Sequence, residues 1–325
     1  MSHQTFAPNR MPQVGSLADV HATGDSSNVP EDYFLGAFIP LHYQHNMLLD
    51  ADRVGTFREA IDHIVQPGDK VLDLGGGTGI LSYFAAQKAE KVWCVEFNPA
   101  LVEAAGRFLA DNSHGERVEV VQADARSYLP PEPVDVVICE MLHVGLLREK
   151  QVPVIESFKE RYVRRYGDRL PTFIPDTSLL AVQAVEQSFD FAGYHAPIPI
   201  FQSPTPSHEG TTQLTDPVTY STVCYGEPLP GRFDWEGTLS IQRDGTLNGL
   251  RLVTKNILAV VLDQHRAVEW LNQHLIMPLA KPLAVKTGDR VCLKMAYRPG
   301  GSLESLADSL SVEKLPNVAA ARRGA

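Results

Sequence analysis

The stretch Lys70-Val-Leu-Asp-Leu-Gly-Gly-Gly-Thr-Gly-Ile-Leu-Ser82 decides the fold. KVLDLG (70–75) reads as a short apolar strand running into glycines at 75, 76, 77 and 79, and ILSYFAAQKA (80–89) sets Ile80, Leu81, Phe84 and Ala85 on one helical face. A glycine-rich turn between strand and helix lets a ligand approach the backbone and aims helix N-terminal N–H groups at it. Downstream, KVWCVEF (91–97) is a second strand and residues 99–109 a second helix, with Pro99 in its first turn. RVEVVQAD (117–124) and VDVVICE (134–140) supply two more strands. Such alternation predicts a parallel, doubly wound, Rossmann-like α/β sheet. Upstream, residues 45–65 place Met47, Leu48, Val54, Phe57, Ile61 and Ile64 at helical steps, and Pro67-Gly68 ends the run.

The chain has 325 residues, which suits about two domains. Residues 1–30 are polar and rich in Ser, Asn, Gly and Pro, and are expected to form a flexible tail, as are residues 319–325. Residues 31–175 are expected to form the α/β domain and 176–318 a second one, because after about Pro175 short β-rich runs replace the alternation. These are 178–185, 219–225, 237–242, 249–255, 259–262 and 289–297, punctuated by Gly and Pro, as in an antiparallel barrel or sandwich. The segment 191–216 holds several prolines and no clear period, as in a loop or an extended arm.

Twenty-nine basic and thirty-nine acidic residues give a net charge of −10, which ranks nucleic-acid binding low and suits a cationic substrate. No apolar run approaches the ~20 residues of a membrane span, and the N-terminus lacks the apolar stretch of a secretory signal. Cys94, Cys139, Cys224 and Cys292 form no Cys-x-x-Cys pair and the eleven histidines show no metal spacing. The expectation is a cytoplasmic protein with reduced, mostly buried thiols and no metal.

The glycine turn admits two cofactor classes. A dinucleotide fingerprint needs Gly-x-Gly-x-x-Gly; read from Gly75, Gly76 or Gly77, it fails at Ile80, Thr78 or Ser82. Asp73-x-Gly75-x-Gly77-x-Gly79 instead resembles the first motif of class I S-adenosylmethionine methyltransferases. Glu96, ending the second strand, can accept hydrogen bonds from a ribose diol. Asp124, after the third, could meet an adenine amino group or simply cap the following turn.

The fourth strand ends in Cys-Glu140-Met-Leu-His143-Val-Gly-Leu-Leu-Arg148-Glu149, the second glutamate following nine residues after the first. Strand C-termini line the ligand crevice of such a sheet. Two carboxylates converging there fit a guanidinium, which is planar and always charged. The plainer reading makes Glu149 a solvated residue opening a helix.

On these residues the sequence resembles the protein arginine methyltransferase family, from about residue 32 to about 312. Asp32-Tyr-Phe34-Leu-Gly-Ala-Phe38 resembles the aromatic N-terminal helix that folds over the cofactor. Met47-Leu-Leu-Asp-Ala-Asp-Arg53 resembles the segment whose arginine holds the cofactor carboxylate. Glu140 and Glu149 resemble the double-glutamate loop, and Phe173-Ile-Pro175 the junction into the barrel. The resemblance implies S-adenosyl-L-methionine as cofactor, a class I methyltransferase domain followed by an antiparallel β-barrel, and a homodimer formed through an arm at about 191–216. It implies Phe34, Arg53, Asp73, Gly75, Gly77, Gly79, Glu96 and Asp124 as cofactor-side residues and Glu140 and Glu149 as catalytic ones.

Departures from the pattern fall mainly on the acceptor side. Val268-Glu269-Trp270 stands where the family has Thr-His-Trp, the acidic loop begins Glu-Met-Leu-His, and Phe38 and Gln44 replace a tyrosine and a cofactor-side histidine. This favours guanidino N-methylation of free L-arginine, as in natural-product pathways such as that of streptozotocin. Tyr43, Met47, His143, Arg148 and Trp270 are then the candidate substrate contacts. The alternatives are methylation of Arg-rich peptides, methylation of another small nucleophile, and a silent binding module.

Overall fold

The computed structural model describes residues 41–205 and 207–316. The two predicted tails and the aromatic helix with Phe34 and Phe38 lie outside the described residues, as does the side chain of Tyr43.

The predicted 45–65 helix is two helices, α1 (Leu41–Leu49) and α2 (Ala51–Ile64). Asp50 divides them: its backbone leaves the helical region, and its carboxylate accepts a hydrogen bond from Arg53 N at 3.1 Å. A periodicity count cannot see this break, because an N-cap is a single side-chain bond. The alternation then follows as β1 (Lys70–Leu74), α3 (Ile80–Ala86), β2 (Lys91–Glu96), α4 (Pro99–Ala110), β3 (Val118–Gln122) and β4 (Val136–Cys139). Next come α5 (Gln151–Tyr166) and β5 (Thr172–Ile174). The five strands are parallel, in the order β3-β2-β1-β4-β5. The order reverses between β1 and β4, which opens a crevice at their carboxyl ends. Strands β1, β2 and β4 are buried on both faces, as their near-continuous apolar runs require.

After the Pro175 junction the chain is antiparallel. It comprises β6 (Thr177–Gln187), β7 (Asp190–Phe191), β8 (Tyr194–His195), β9 (Ile200–Gln202), β10 (Thr211–Gln213) and β11 (Val218–Cys224). There follow β12 (Phe233–Ser240), β13 (Gly245–Val261), β14 (Arg266–Leu271), β15 (His274–Val285) and β16 (Arg290–Tyr297), then a short helix α6 (Leu303–Ser309) and β17 (Ser311–Lys314). A curled seven-stranded sheet is built around β6, β13 and β15, and a three-stranded sheet β12-β16-β17 completes a half-barrel. The two strands predicted over 249–255 and 259–262 are one 17-residue strand, β13, with an irregularity between Ile257 and Ala259. The arm segment is more ordered than its composition suggested. It carries the β7-β8 hairpin, while β9 pairs with β15 and β10 with β6. Cys94 and Cys139 are buried, whereas Cys224 is exposed and Cys292 half-buried.

One hydrophobic core runs through both domains. Phe57 and Ile61 of α2, Ile138 of β4, Leu252 of β13 and Leu293 of β16 all belong to it. The half-barrel is therefore packed onto the edge of the crevice, and its side chains are available to build the site.

Candidate active site

The turn after β1 is pinned to β2: the N–H groups of Gly75 and Gly76 both donate to Val95 O at 2.9 Å. Gly75, Gly77 and Gly79 have φ of 79°, 56° and 82°, a region that disfavours a Cβ. Gly76 is needed for space, since a Cβ there would lie 2.3 Å from Cys94 Sγ. Glu96 closes the turn. Its Oε2 accepts from Gly77 N at 3.0 Å and its Oε1 from Asn98 N at 2.8 Å. A carboxylate is thus held at the rim of the glycine turn.

The other two cofactor-side acids differ from it. Asp73 is 1% exposed and accepts from Ser82 Oγ at 2.6 Å, and burial pushes its pKa up to about 6. It braces the turn from inside. Asp124 accepts from Arg126 N and from the Arg126 guanidinium, both at 2.9 Å, so its carboxylate closes a local turn. That is the geometry of the capping alternative.

Glu140 follows β4 at the crevice. Its side chain is 6% exposed, one oxygen pairs with the Arg53 guanidinium, and Oε1 is buried with no hydrogen-bond partner. A buried carboxylate oxygen left in this state is costly, and a cationic donor would relieve it. Arg53 also lies over the Trp270 ring, 5.3 Å from its centroid. Trp270, 5% exposed, packs edge-on against Phe57 as well, so it wedges β14 against α2. Glu149 opens to solvent through the cleft, yet the protein around it is dense enough that desolvation dominates its titration. Its pKa is raised, against the opposing pull of Arg53 and Arg148. Arg53, Glu140 and Glu149 therefore form one charge cluster.

The remaining candidates surround it unevenly. Met47 is half-buried on α1. His143 sits in the acidic loop with Nδ1 3.0 Å from Val144 O, which places the proton on Nδ1, and its ring meets Phe201 of the arm edge-on at 5.5 Å. Burial lowers its pKa to about 4, with the Arg148 charge acting in the same direction, so it is neutral at pH 7. Arg148 adjoins Glu149 in a left-handed conformation, φ 56°.

What the sequence reading missed is how this loop is held. Gly145, Leu146 and Arg148 all have positive φ, at 69°, 54° and 56°. Two non-glycine residues in that region mark stored strain. The half-barrel and the segment following it hold the loop in place. Gly145 N donates to Thr254 Oγ1 at 2.7 Å, and Gly145 O accepts from Tyr297 Oη at 2.9 Å. Asn272 Nδ2 donates to Leu142 O at 2.9 Å. Gly300 N donates to Leu146 O at 2.7 Å, and Arg148 N to Gly301 O at 2.8 Å. No local motif announces these partners, which lie more than 100 residues away in sequence.

A model of the methyltransferase domain matches residues 71–162. An uncharacterized protein of Methanocaldococcus jannaschii is 31% identical over 81% of this chain and 95% of its own length. Protein arginine N-methyltransferase 1 of Caenorhabditis elegans is 34% identical over 52% of this chain and 49% of its own. Among solved structures, the Trypanosoma brucei PRMT1 enzyme–prozyme complex with AdoHcy superposes with a TM-score of 0.65 at 18% identity, covering 85% of this chain and 98% of that one. Fold and glycine cradle together define a class I, S-adenosylmethionine-dependent methyltransferase. Within that class, the chain is similar to protein arginine methyltransferases over about half its length and shares the fold of the solved ones.

Proposed function

We propose that the protein methylates a terminal guanidino nitrogen of arginine, with free L-arginine as the acceptor. One observation carries the guanidine: the site already holds one. Arg53 pairs with Glu140, and its charge also acts on Glu149. A substrate guanidinium satisfies the same two acids through charge-assisted hydrogen bonds, including the partnerless Glu140 Oε1.

The residues present fit the cofactor. The Gly75–Gly79 turn gives a backbone cradle, Glu96 a ribose acceptor and Arg53 a cation for the carboxylate. S-adenosylmethionine, when bound, supplies an electrophilic methyl group on a sulfonium. Glu140 and Glu149 fix the guanidinium plane, so that one nitrogen faces that methyl group; this is catalysis by orientation. A guanidine nitrogen methylated there would lose its proton to a carboxylate or to solvent. No strong base is needed beforehand, because alkylation makes that proton acidic.

Free arginine is favoured by the cations and neutral donors at the loop. Arg148, adjoining Glu149, suits an α-carboxylate, the acidic loop begins Glu-Met-Leu-His where the family has Glu-Trp-Met-Gly, and Val268-Glu269-Trp270 replaces the family's Thr-His-Trp. Incubation with S-adenosylmethionine and either free L-arginine or an Arg-rich peptide tests this by mass spectrometry. The expected result is a gain of about 14 mass units per methyl on free arginine. Methylated peptide with untouched arginine overturns the acceptor assignment, and no gain on either overturns the guanidine reading.

We further infer a homodimer. Phe191, Tyr194 and Ile198 of the arm are 46%, 73% and 53% exposed. An apolar hollow of about 290 Å³ beside α3 and α4, lined by Leu48, Ile80, Tyr83, Phe84 and Phe108, offers a complementary surface.

A further inference from the structure

We propose that Gln151 is the positioning residue for Glu140, and that through it the half-barrel sets the aim of the catalytic carboxylate. Gln151 is the first residue of α5, two beyond Glu149, and is 1% exposed. Its Oε1 accepts from Met141 N at 2.9 Å, and its Nε2 donates to Cys139 O at 2.7 Å. Those two groups belong to the two peptide planes that pivot at the Glu140 Cα. Because peptide units are rigid, fixing both planes fixes φ and ψ of Glu140. The need is specific to this place. Cys139 is the last residue of β4 in register with β1, so sheet hydrogen bonding no longer orients the backbone beyond it.

The amide cannot be turned round, since Met141 offers a donor and Cys139 an acceptor. It also abuts the second domain. Gln151 lies near the Tyr225 hydroxyl, which is 2.9 Å from Ser178 Oγ, and Ser178 Oγ donates to Asn256 Oδ1 at 2.6 Å. Tyr225, Ser178 and Asn256 are all 0% exposed. This buried polar group runs from β13 through β6 to Tyr225, beside the amide that holds the backbone on both sides of Glu140. A hydrophobic residue at 151 would fill the same space without holding either plane.

This role rests on the reading of Glu140 as the acceptor clamp, and two variants test it. Gln151→Met keeps the volume and removes both hydrogen bonds. Turnover is expected to fall by about 10- to 100-fold, the scale of a small misplacement of a reacting group, while calorimetric affinity for S-adenosylmethionine stays within about twofold. Gln151→Glu sets a carboxylate against Cys139 O when ionised. When protonated it reproduces the native pattern, with C=O accepting and O–H donating. Its activity relative to Gln151→Met therefore rises as pH is lowered, a rescue that a space-filling role cannot give. Amide hydrogen exchange at Met141 provides a readout independent of any acceptor: it is slow in the parent protein and faster in Gln151→Met. If Gln151→Met turns over at the parental rate, or if Met141 exchange is unchanged, the proposal is overturned. If Gln151→Met does not fold, a flat pH response of the Gln151→Glu activity relative to the parent overturns it instead. A parent protein inactive on every guanidine sinks the functional reading, and the exchange measurement then still decides whether Gln151 holds the backbone.

Discussion

Glu149 and Asp73 are both acids whose proton affinity is raised by burial, and they do different things with it. Glu149 opens onto the cleft, so in the proposed mechanism its ionisation governs whether the acceptor clamp is complete. With its pKa raised, kcat/KM for the acceptor is expected to fall on acidification with a limb above about 4.3, the ordinary glutamate value. A pH–rate profile checks this, and the limb should vanish in Glu149→Gln. That variant should also lose on the order of 2–4 kcal/mol of transition-state stabilisation, roughly 30- to 1,000-fold in rate. An unchanged rate would make Glu149 a solvated helix-start residue after all. Asp73 is buried against Ser82, and its pKa moves from 3.8 to about 6. Folding thus favours its protonated form. The stabilisation is complete below the unfolded value and lost as pH rises through about 6, on the order of 3 kcal/mol at ~1.4 kcal/mol per pH unit. Asp73→Asn cannot ionise, so its melting temperature should change less than that of the parent between about pH 4 and pH 6. Calorimetry across that range tests it.

The acidic loop and the glycine turn are the elements on which the chemistry depends, and they are built by opposite means. The turn is self-contained, with glycines taking positive φ and Val95 accepting from the two N–H groups beside it. Its weak point is space. Gly76→Ala puts a Cβ against the buried Cys94 Sγ and is expected to destabilise by about 1–3 kcal/mol, with cofactor affinity falling in parallel by calorimetry. The acidic loop depends on distant strands. Thr254→Val keeps the side-chain shape and leaves the buried Gly145 N–H without its acceptor. The cost is about 1–3 kcal/mol. Turnover should fall more than cofactor affinity, since the loop carries the proposed acceptor clamp and the turn does not.

At the scale of the whole molecule, the half-barrel is structural support for the site as well as a second domain. It shares the α/β core and holds the loop between the two glutamates. The proposed dimer adds to this through the arm. Phe201, beside the exposed arm residues, also touches His143 in the acidic loop. Charging the arm by combining Phe191→Asp with Tyr194→Asp should convert a dimer into a monomer by sedimentation. Turnover should fall with it, because Phe201 connects the arm to the loop. A parent protein that already sediments as a monomer would refute the arm's role.

The sequence by itself determined the parallel sheet, the glycine turn and the identity of the charged groups. The alternation of apolar runs with helical stripes and the spacing of the glycines are local, and local patterns survive without knowledge of the fold. It also indicated a β-rich second half, though it divided β13 in two and left the arm without strands, since short edge strands carry too little periodic signal. Only the tertiary structure decided which acids face the cleft. Asp73 turned inward to Ser82, Asp124 closed its own turn, and Glu140 and Glu149 met around Arg53. It alone disclosed Gln151, Thr254, Asn272 and Tyr297 as the groups that hold the acidic loop. The reason is physical: each acts through a hydrogen bond to a backbone atom, and a backbone atom is the same in every residue, so nothing in the sequence marks which one is bound.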